Sequence, residues 1–159
     1  MDKATFTATL QADRSVWETL LARLFPLGEE RLTQPGATGD WSVKDVIAHV
    51  TWFEREMVGV IQAHALVGSD LWDLPTDARN AAIFQMNRSR PLSDILAEAE
   101  QVYAGLAAAI ETLTDEDLND AARFAGMPAD WQPWQVIAGN SYEHYRDHGQ
   151  KLQAWLAAR

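Results

Sequence analysis

Three observations on this 159-residue chain predict an all-α fold, a four-helix bundle with one long crossover. Apolar residues recur at spacings of three and four almost throughout, no stretch alternates as a strand would, and Pro and Gly gather between the periodic stretches. Amphipathic helices of this kind hide their apolar stripes against one another.

The first helix is expected over about 4–25, where Phe6, Leu10, Trp17, Leu20, Leu21 and Leu24 form one stripe before Pro26, Gly28 and Pro35-Gly36 punctuate the chain. A second long helix opens at Ser42, with Asp45 three residues on in a capping-box arrangement. Its stripe runs from Val43 through Val46, Ile47, Val50, Phe53 and Met57 to Ile61 and fades near Gly68. Pro75 and Pro91 bound a shorter helix over 77–88. The third long helix covers about 92–113, with Ile95, Leu96, Val102, Leu106 and Ile110 facing inward. The last opens at Pro133, a favoured first helical residue, and runs to about Ala157. The long 66–91 connection suits parallel second and third helices, in the order up-down-down-up, and a plain up-and-down order would not need it. No linker divides the chain, so 1–159 is expected to form one domain. A weak echo links Trp41–Ala48 with Trp131–Ala138 at four of eight positions, a match that apolar stripes also produce by chance.

Thirteen Lys and Arg against 23 Asp and Glu give a formal charge of −10. Nucleic-acid binders neutralise phosphates with a clustered basic face, so this balance argues against nucleic acid, and equally against an anionic membrane surface. There is no cysteine, which removes disulfides, thiolate ligands and a cysteine nucleophile together. The opening Met1–Phe6 does not read as a secretory signal, no apolar run approaches the ~20 residues of a membrane span, and a cytoplasmic protein is expected.

The histidines carry most of the chemical information. His144 and His148 are four residues apart on the buried stripe of the last helix, so their imidazoles leave one face about a turn apart. That is the spacing with which a helix offers two nitrogens to one metal, although two core-edge histidines satisfied by hydrogen bonds show it too. His49 lies seven residues into the second long helix. If that helix runs antiparallel to the last, His49 and His148 stand at the same level within a turn. His64, fifteen residues and ~22 Å further on, is outside the set and reads as a cation near a helix C-terminus.

Trp41-Ser-Val-Lys-Asp-Val-Ile-Ala-His49 resembles a motif of the DinB/YfiT-like superfamily, in which a ligating histidine follows a Trp by eight residues. His144 and His148 match the second and third ligands of that family on its last helix. Asn80, Arg88-Ser-Arg-Pro91-Leu92 and Gly139-Asn140-Ser-Tyr142-Glu143-His144-Tyr145 look most like the ClbS/DfsB branch. The resemblance spans about 38–157 and implies a bundle with the crossover order, often a homodimer, with His49, His144 and His148 binding a divalent metal. It further implies metal-dependent transferases of low-molecular-weight thiols, isomerases that use such a thiol, and small proteins that disarm a reactive metabolite. Some members of the ClbS-like branch lack the full histidine set.

Three imidazoles around Zn²⁺ or Ni²⁺ leave positions open, as catalytic sites do, for a thiol cosubstrate or a water acting on a small electrophile. Glu54, inward between Val50 and Met57, is the candidate catalytic base, or else an edge carboxylate paired with an arginine such as Arg14. Asn140 and Tyr145 are candidates for orienting ligands or touching substrate, and Tyr145 also reads as core. Trp52 points away from the apolar face of its helix, and with Trp72 and Trp131 in connections it is a candidate for a pocket mouth, an interface, or packing under the crossover. Arg88 and Arg90 read either as an anion receptor or as a solvated pair. Three readings stay open: a metal-dependent small-molecule enzyme, a metal-free ClbS-like binding or hydrolytic self-protection protein, and a non-catalytic bundle.

Overall fold

A computed structural model describes residues 1–158. Its helices are α1 (Lys3–Leu24), α2 (Glu29–Thr33), α3 (Val43–Ala63), α4 (Thr76–Asn87), α5 (Leu92–Glu111), α6 (Asp115–Asn119), α7 (Pro133–Gly139) and α8 (Tyr142–Ala157). Among the described residues no strand forms, and extended pairing is confined to the bridges Thr38–Trp41 and Ala65–Ala125.

Cross-helix contacts fix the directions. Arg55 of α3 meets Glu98 of α5, and further along both helices Val58 packs beside Gly105, so these two run parallel. Phe6 meets Tyr142 and Leu20 meets Gly149, which makes α1 and α8 parallel as well. Lys3 pairs with Glu111 and Arg14 with Glu100, setting α1 against α5, while α3 and α8 oppose each other through His49 with His148 and Glu54 with Tyr145. The order is up-down-down-up, as the crossover length predicts.

A continuous core runs through the four long helices, with Phe6, Leu10, Ile47, Ile61, Leu106 and Leu152 essentially sealed from solvent. Each such side chain contributes roughly 1.5–3 kcal/mol of burial. The expected capping box is present: Ser42 Oγ accepts from the Asp45 amide, and Asp45 accepts from the Ser42 amide at 2.9 Å. Lys44, buried in the first turn of α3, donates its ammonium to the carbonyls of Arg88 at 3.0 Å and Arg90 at 3.1 Å. This lock satisfies acceptors left free where α4 ends and ties the crossover to the start of α3.

Of the readings open for Trp52, the structure takes packing under the crossover and not a pocket mouth: the side chain is 3% exposed and packs with Phe53, Ile83 and Trp72 in a satellite cluster. Because α4 and the 70–73 turn cover the outer side of α3, the residue opposite its main stripe is buried as well. One expectation is corrected: the stretch expected as a single last helix is two helices, α7 and α8. At the break, Asn140 Nδ2 donates to Val136 O at 2.8 Å and Ser141 Oγ to Ile137 O at 2.6 Å. Polar side chains that bond back to the preceding turn compete with the ladder, and Gly139 beside them is a weak helix former.

Candidate metal centre

His49 comes from the end of the second turn of α3, and His144 and His148 from successive turns of α8. One ring nitrogen from each lies within 4.8 Å of the others, close enough to converge on one ion. The rings of His49 and His148 are 4.8 Å apart at 67°, and His144 stands 5.5 Å from each. Aromatic walls hold them: Trp41 lies 5.0 Å from the His49 ring, and Phe53 stacks on His144 at 4.6 Å. Trp41 is set by a tight turn in which Thr38 and Trp41 exchange backbone hydrogen bonds around Gly39, whose φ of +57° suits a residue without Cβ.

The break in the last helix serves the site directly. Gly139 O, freed from the helical ladder, lies 2.6 Å from His144 Nδ1. A carbonyl only accepts, so the ring proton sits on Nδ1 and Nε2 is left free to ligate. Burial, reinforced by His148, His144 and Lys151, drives His49 down to about 2. Burial, reinforced by His144 and Lys151, brings His148 down to about 4, and burial lowers His144 despite its bond to Gly139. All three imidazoles are therefore neutral at pH 7, the form that binds metal. His49 Nδ1 and His148 Nδ1 are buried with no hydrogen-bond partner. Imidazole donors of this kind suit Zn²⁺ or Ni²⁺, and the residues present fit such an ion.

The histidines open onto a pocket of about 440 Å³, bordered also by Thr38, Asn80, Arg79 and Lys151. Sequence reasoning did not single out Thr38, Arg79 or Lys151. Helical spacing would have found Lys151, three residues past His148. Arg79 also borders a neighbouring groove of about 640 Å³, where Met57, Val60, Leu66, Val67, Trp72 and Trp131 supply an apolar lining. Asn140 reaches this groove rather than the histidine pocket. Trp72 and Trp131 thus stand at a pocket, while Trp52 lies behind Trp72, 5.4 Å from its ring.

Glu54 and Tyr145 are not brought to the histidines. Tyr145 donates its hydroxyl to Glu54 Oε1, and its ring stacks on Trp17 at 5.7 Å. Arg14 approaches both from α1, with its guanidinium 5.8 Å from the Tyr145 ring, and bonds Glu18 and Glu100. Burial raises Glu54 to about 7, against the Tyr145 hydrogen bond and the Arg14 charge. Burial works against the Arg14 charge too, yet Tyr145, Glu18 and Glu54 outweigh it and hold the guanidinium protonated. His64 closes α3 in a left-handed conformation, with its ring stacked 5.2 Å from Phe124, far from the other three. Arg90 is paired with Glu98 at 2.6 Å and serves the fold.

The family model of the DinB superfamily matches residues 12–151, and the chain belongs to that superfamily. No curated protein matches the sequence. Among solved structures, an uncharacterised protein from Escherichia coli UTI89 is similar at 17% identity and TM-score 0.74, covering 99% of this chain and 94% of its own. Sibling Lethal Factor Precursor, DfsB, is similar at 13% identity and TM-score 0.78, over 99% and 96%. A Streptococcus pneumoniae protein gives 13% identity and TM-score 0.81, over 99% and 91%. At these identities the likeness is one of fold.

Proposed function

We propose that this chain is a metal-dependent enzyme that acts on a small electrophilic molecule, in a detoxifying or resistance role. The observation that carries the reading is the convergence of His49, His144 and His148, neutral and walled by aromatic rings, at an open pocket. Zn²⁺ or Ni²⁺ held there supplies Lewis acidity to a low-molecular-weight thiol or a water. Trp41 and Phe53 exclude water from the ligand side, and Gly139 O orients His144. Asn140 and the tryptophan-lined groove receive the body of the substrate. Glu54 and Tyr145 set the rotation of α8, and so the aim of its two histidines, without touching substrate. A cytoplasmic homodimer of one domain per chain accompanies this reading.

The test is turnover by the zinc- or nickel-loaded protein of a chromogenic aryl halide with a panel of low-molecular-weight thiols, and of an activated ester without thiol. Thiol-dependent product formation lost in His49→Ala supports transfer, and thiol-free ester cleavage lost in the same variant supports hydrolysis. Neither activity in any metal form contradicts the reading. The groove is larger than the histidine pocket and lined by Trp72 and Trp131, which favours a second reading, a protein that sequesters a small apolar compound. Ligand affinity unchanged in His49→Ala, without turnover, would support that second reading.

A further inference from the structure

We propose that Lys151 and Arg79, flanked by Thr38 and Asn80, form a subsite for the anionic group, a carboxylate or sulfonate, of the small molecule that the histidine pocket takes. The inference rests on the proposed function and narrows its substrate class.

Charge distribution is the first argument. In a chain with a formal charge of −10, the titratable residues bordering this pocket are three neutral histidines and two cations, with no carboxylate. Asp147 acts electrostatically on His144 and His148, but it is exposed on α8 and does not border the pocket. A dication added to such a lining leaves the positive charge uncompensated until an anion arrives.

The individual groups point the same way. Lys151 makes no ion pair among the described residues, and its charge bears on all three imidazoles. Arg79 is held rigid: Nε donates to Leu71 O at 3.2 Å, Nη2 donates to Trp72 O at 3.3 Å and Leu74 O at 3.1 Å, and the guanidinium lies 4.6 Å from the Trp72 ring. Nη1 takes no part in these bonds, and among the described residues no carboxylate pairs with the group. Beside the two imidazole nitrogens that suit the metal, this pocket holds two further buried side-chain atoms without a partner, Thr38 Oγ1 and Asn80 Oδ1. Buried polar atoms are normally paired, so two such atoms from different elements at one pocket mark where a polar ligand belongs. Thr38 has a hydroxyl to donate to the anion, and Asn80 Oδ1 accepts an N–H or O–H next to the acid group.

The probes are 3-mercaptopropionate, 2-mercaptoethanol and cysteamine, titrated into the cobalt-loaded protein and followed by the near-ultraviolet band that sulfur adds on binding. The anionic thiol is expected to bind about tenfold more tightly than the neutral one, with the cationic thiol weakest. Lys151→Ala flattens this order and Lys151→Glu reverses it, and the exposed position leaves the fold intact in both. Intrinsic thiol acidity runs the opposite way, because a cationic neighbour favours the thiolate, so the order reports the protein. Equal affinity for the three thiols, or a preference that survives Lys151→Glu, overturns the subsite. Absence of cobalt uptake, or of a band with any thiol, counts instead against the metal and thiol reading. The subsite is then read in the metal-free protein by the imidazole resonances of His148. Saturable shifts with propionate and none with propanamide uphold it, and identical responses to the two overturn it.

Discussion

His144 Nδ1 donates to the carbonyl of Gly139 at 2.6 Å, across the break that separates α7 from α8. In an unbroken helix that carbonyl would accept from the Glu143 amide, and His144 would lose the bond that fixes its tautomer. The interruption is therefore part of the site. Replacing both side chains that bond back at the break, in Asn140→Ala with Ser141→Ala, is expected to weaken zinc affinity about tenfold while far-ultraviolet dichroism stays helical. Competition with a chromophoric chelator measures it, and unchanged affinity would show that the break has no bearing on the ligands.

Proton competition at the centre should be slight. Folding lowers all three imidazoles, His148 to about 4 and His49 to about 2. Metal affinity is therefore expected to stay nearly flat as pH falls from 8 to 6, through the range where an ordinary histidine near 6.5 gains its proton. Stability of the metal-free protein follows the same sign. The neutral-histidine contribution is present above 6.5 and is lost as pH falls from there toward about 4 for His148 and about 2 for His49, because the unfolded chain takes up protons that the folded one refuses. Urea unfolding at pH 7 and pH 5 checks the direction.

Glu54 carries the opposite sign. Its folded value of about 7 lies above the ordinary 4.5, so its contribution is present below 4.5 and is lost as pH rises through 7. Glu54→Gln keeps an acceptor for the Tyr145 hydroxyl and removes the buried charge. The variant is expected to melt higher than the parent at pH 8, by a margin that closes as pH falls to 4.5. A margin independent of pH would contradict the buried-carboxylate account.

Gly68 lies where the crossover crosses α3. A Cβ there would come within 2.5 Å of Glu56 Oε2 and 2.7 Å of the Trp72 ring. The carboxylate has little room to yield, because it accepts from the Ser69 amide and from Trp72 Nε1, both at 2.8 Å. Gly68→Ala is expected to cost ~1–3 kcal/mol by overpacking and to red-shift tryptophan emission as Trp72 moves toward water. Denaturant titration read by fluorescence tests both.

How far the sequence led depended on what helical spacing can express. The histidine centre was legible because an i, i+4 pair and one axial level suffice to bring His144, His148 and His49 together. Glu54 and Tyr145 were also rightly inward, yet Glu54 is five residues from His49, about 140° around the helix, and Tyr145 is about 100° from His144. In a bundle an inward residue meets whichever neighbour its own angle selects, and theirs faced α1. Trp52 stayed open between a pocket mouth, an interface and packing under the crossover because a single stripe does not reveal a second cover, here α4 and the 70–73 turn. The helix break had a signal in the weak helix formers Gly139, Asn140 and Ser141, which the apolar period on both sides outweighed. Thr38 and Arg79 reach the pocket from a turn and from the crossover helix, whose docking no local pattern encodes.

Ligand linkage offers a check independent of chemistry. At a hundredfold excess over Kd, zinc or nickel should add ~2.7 kcal/mol to folding. At ~2–4 °C per kcal/mol for a chain of this size, that raises Tm by roughly 5–10 °C. His49→Ala and His148→Ala should lose the rise while His64→Ala keeps it, because His64 stacks on Phe124 away from the centre. Differential scanning fluorimetry with and without metal reads all four proteins.

The most direct measurement is metal content by mass spectrometry on protein purified without chelator and without a nickel column, beside His49→Ala and His148→Ala. The account predicts close to one zinc or nickel per chain in the parent and none in either variant. A parent protein without metal that also fails to bind added Zn²⁺ or Ni²⁺ would contradict it.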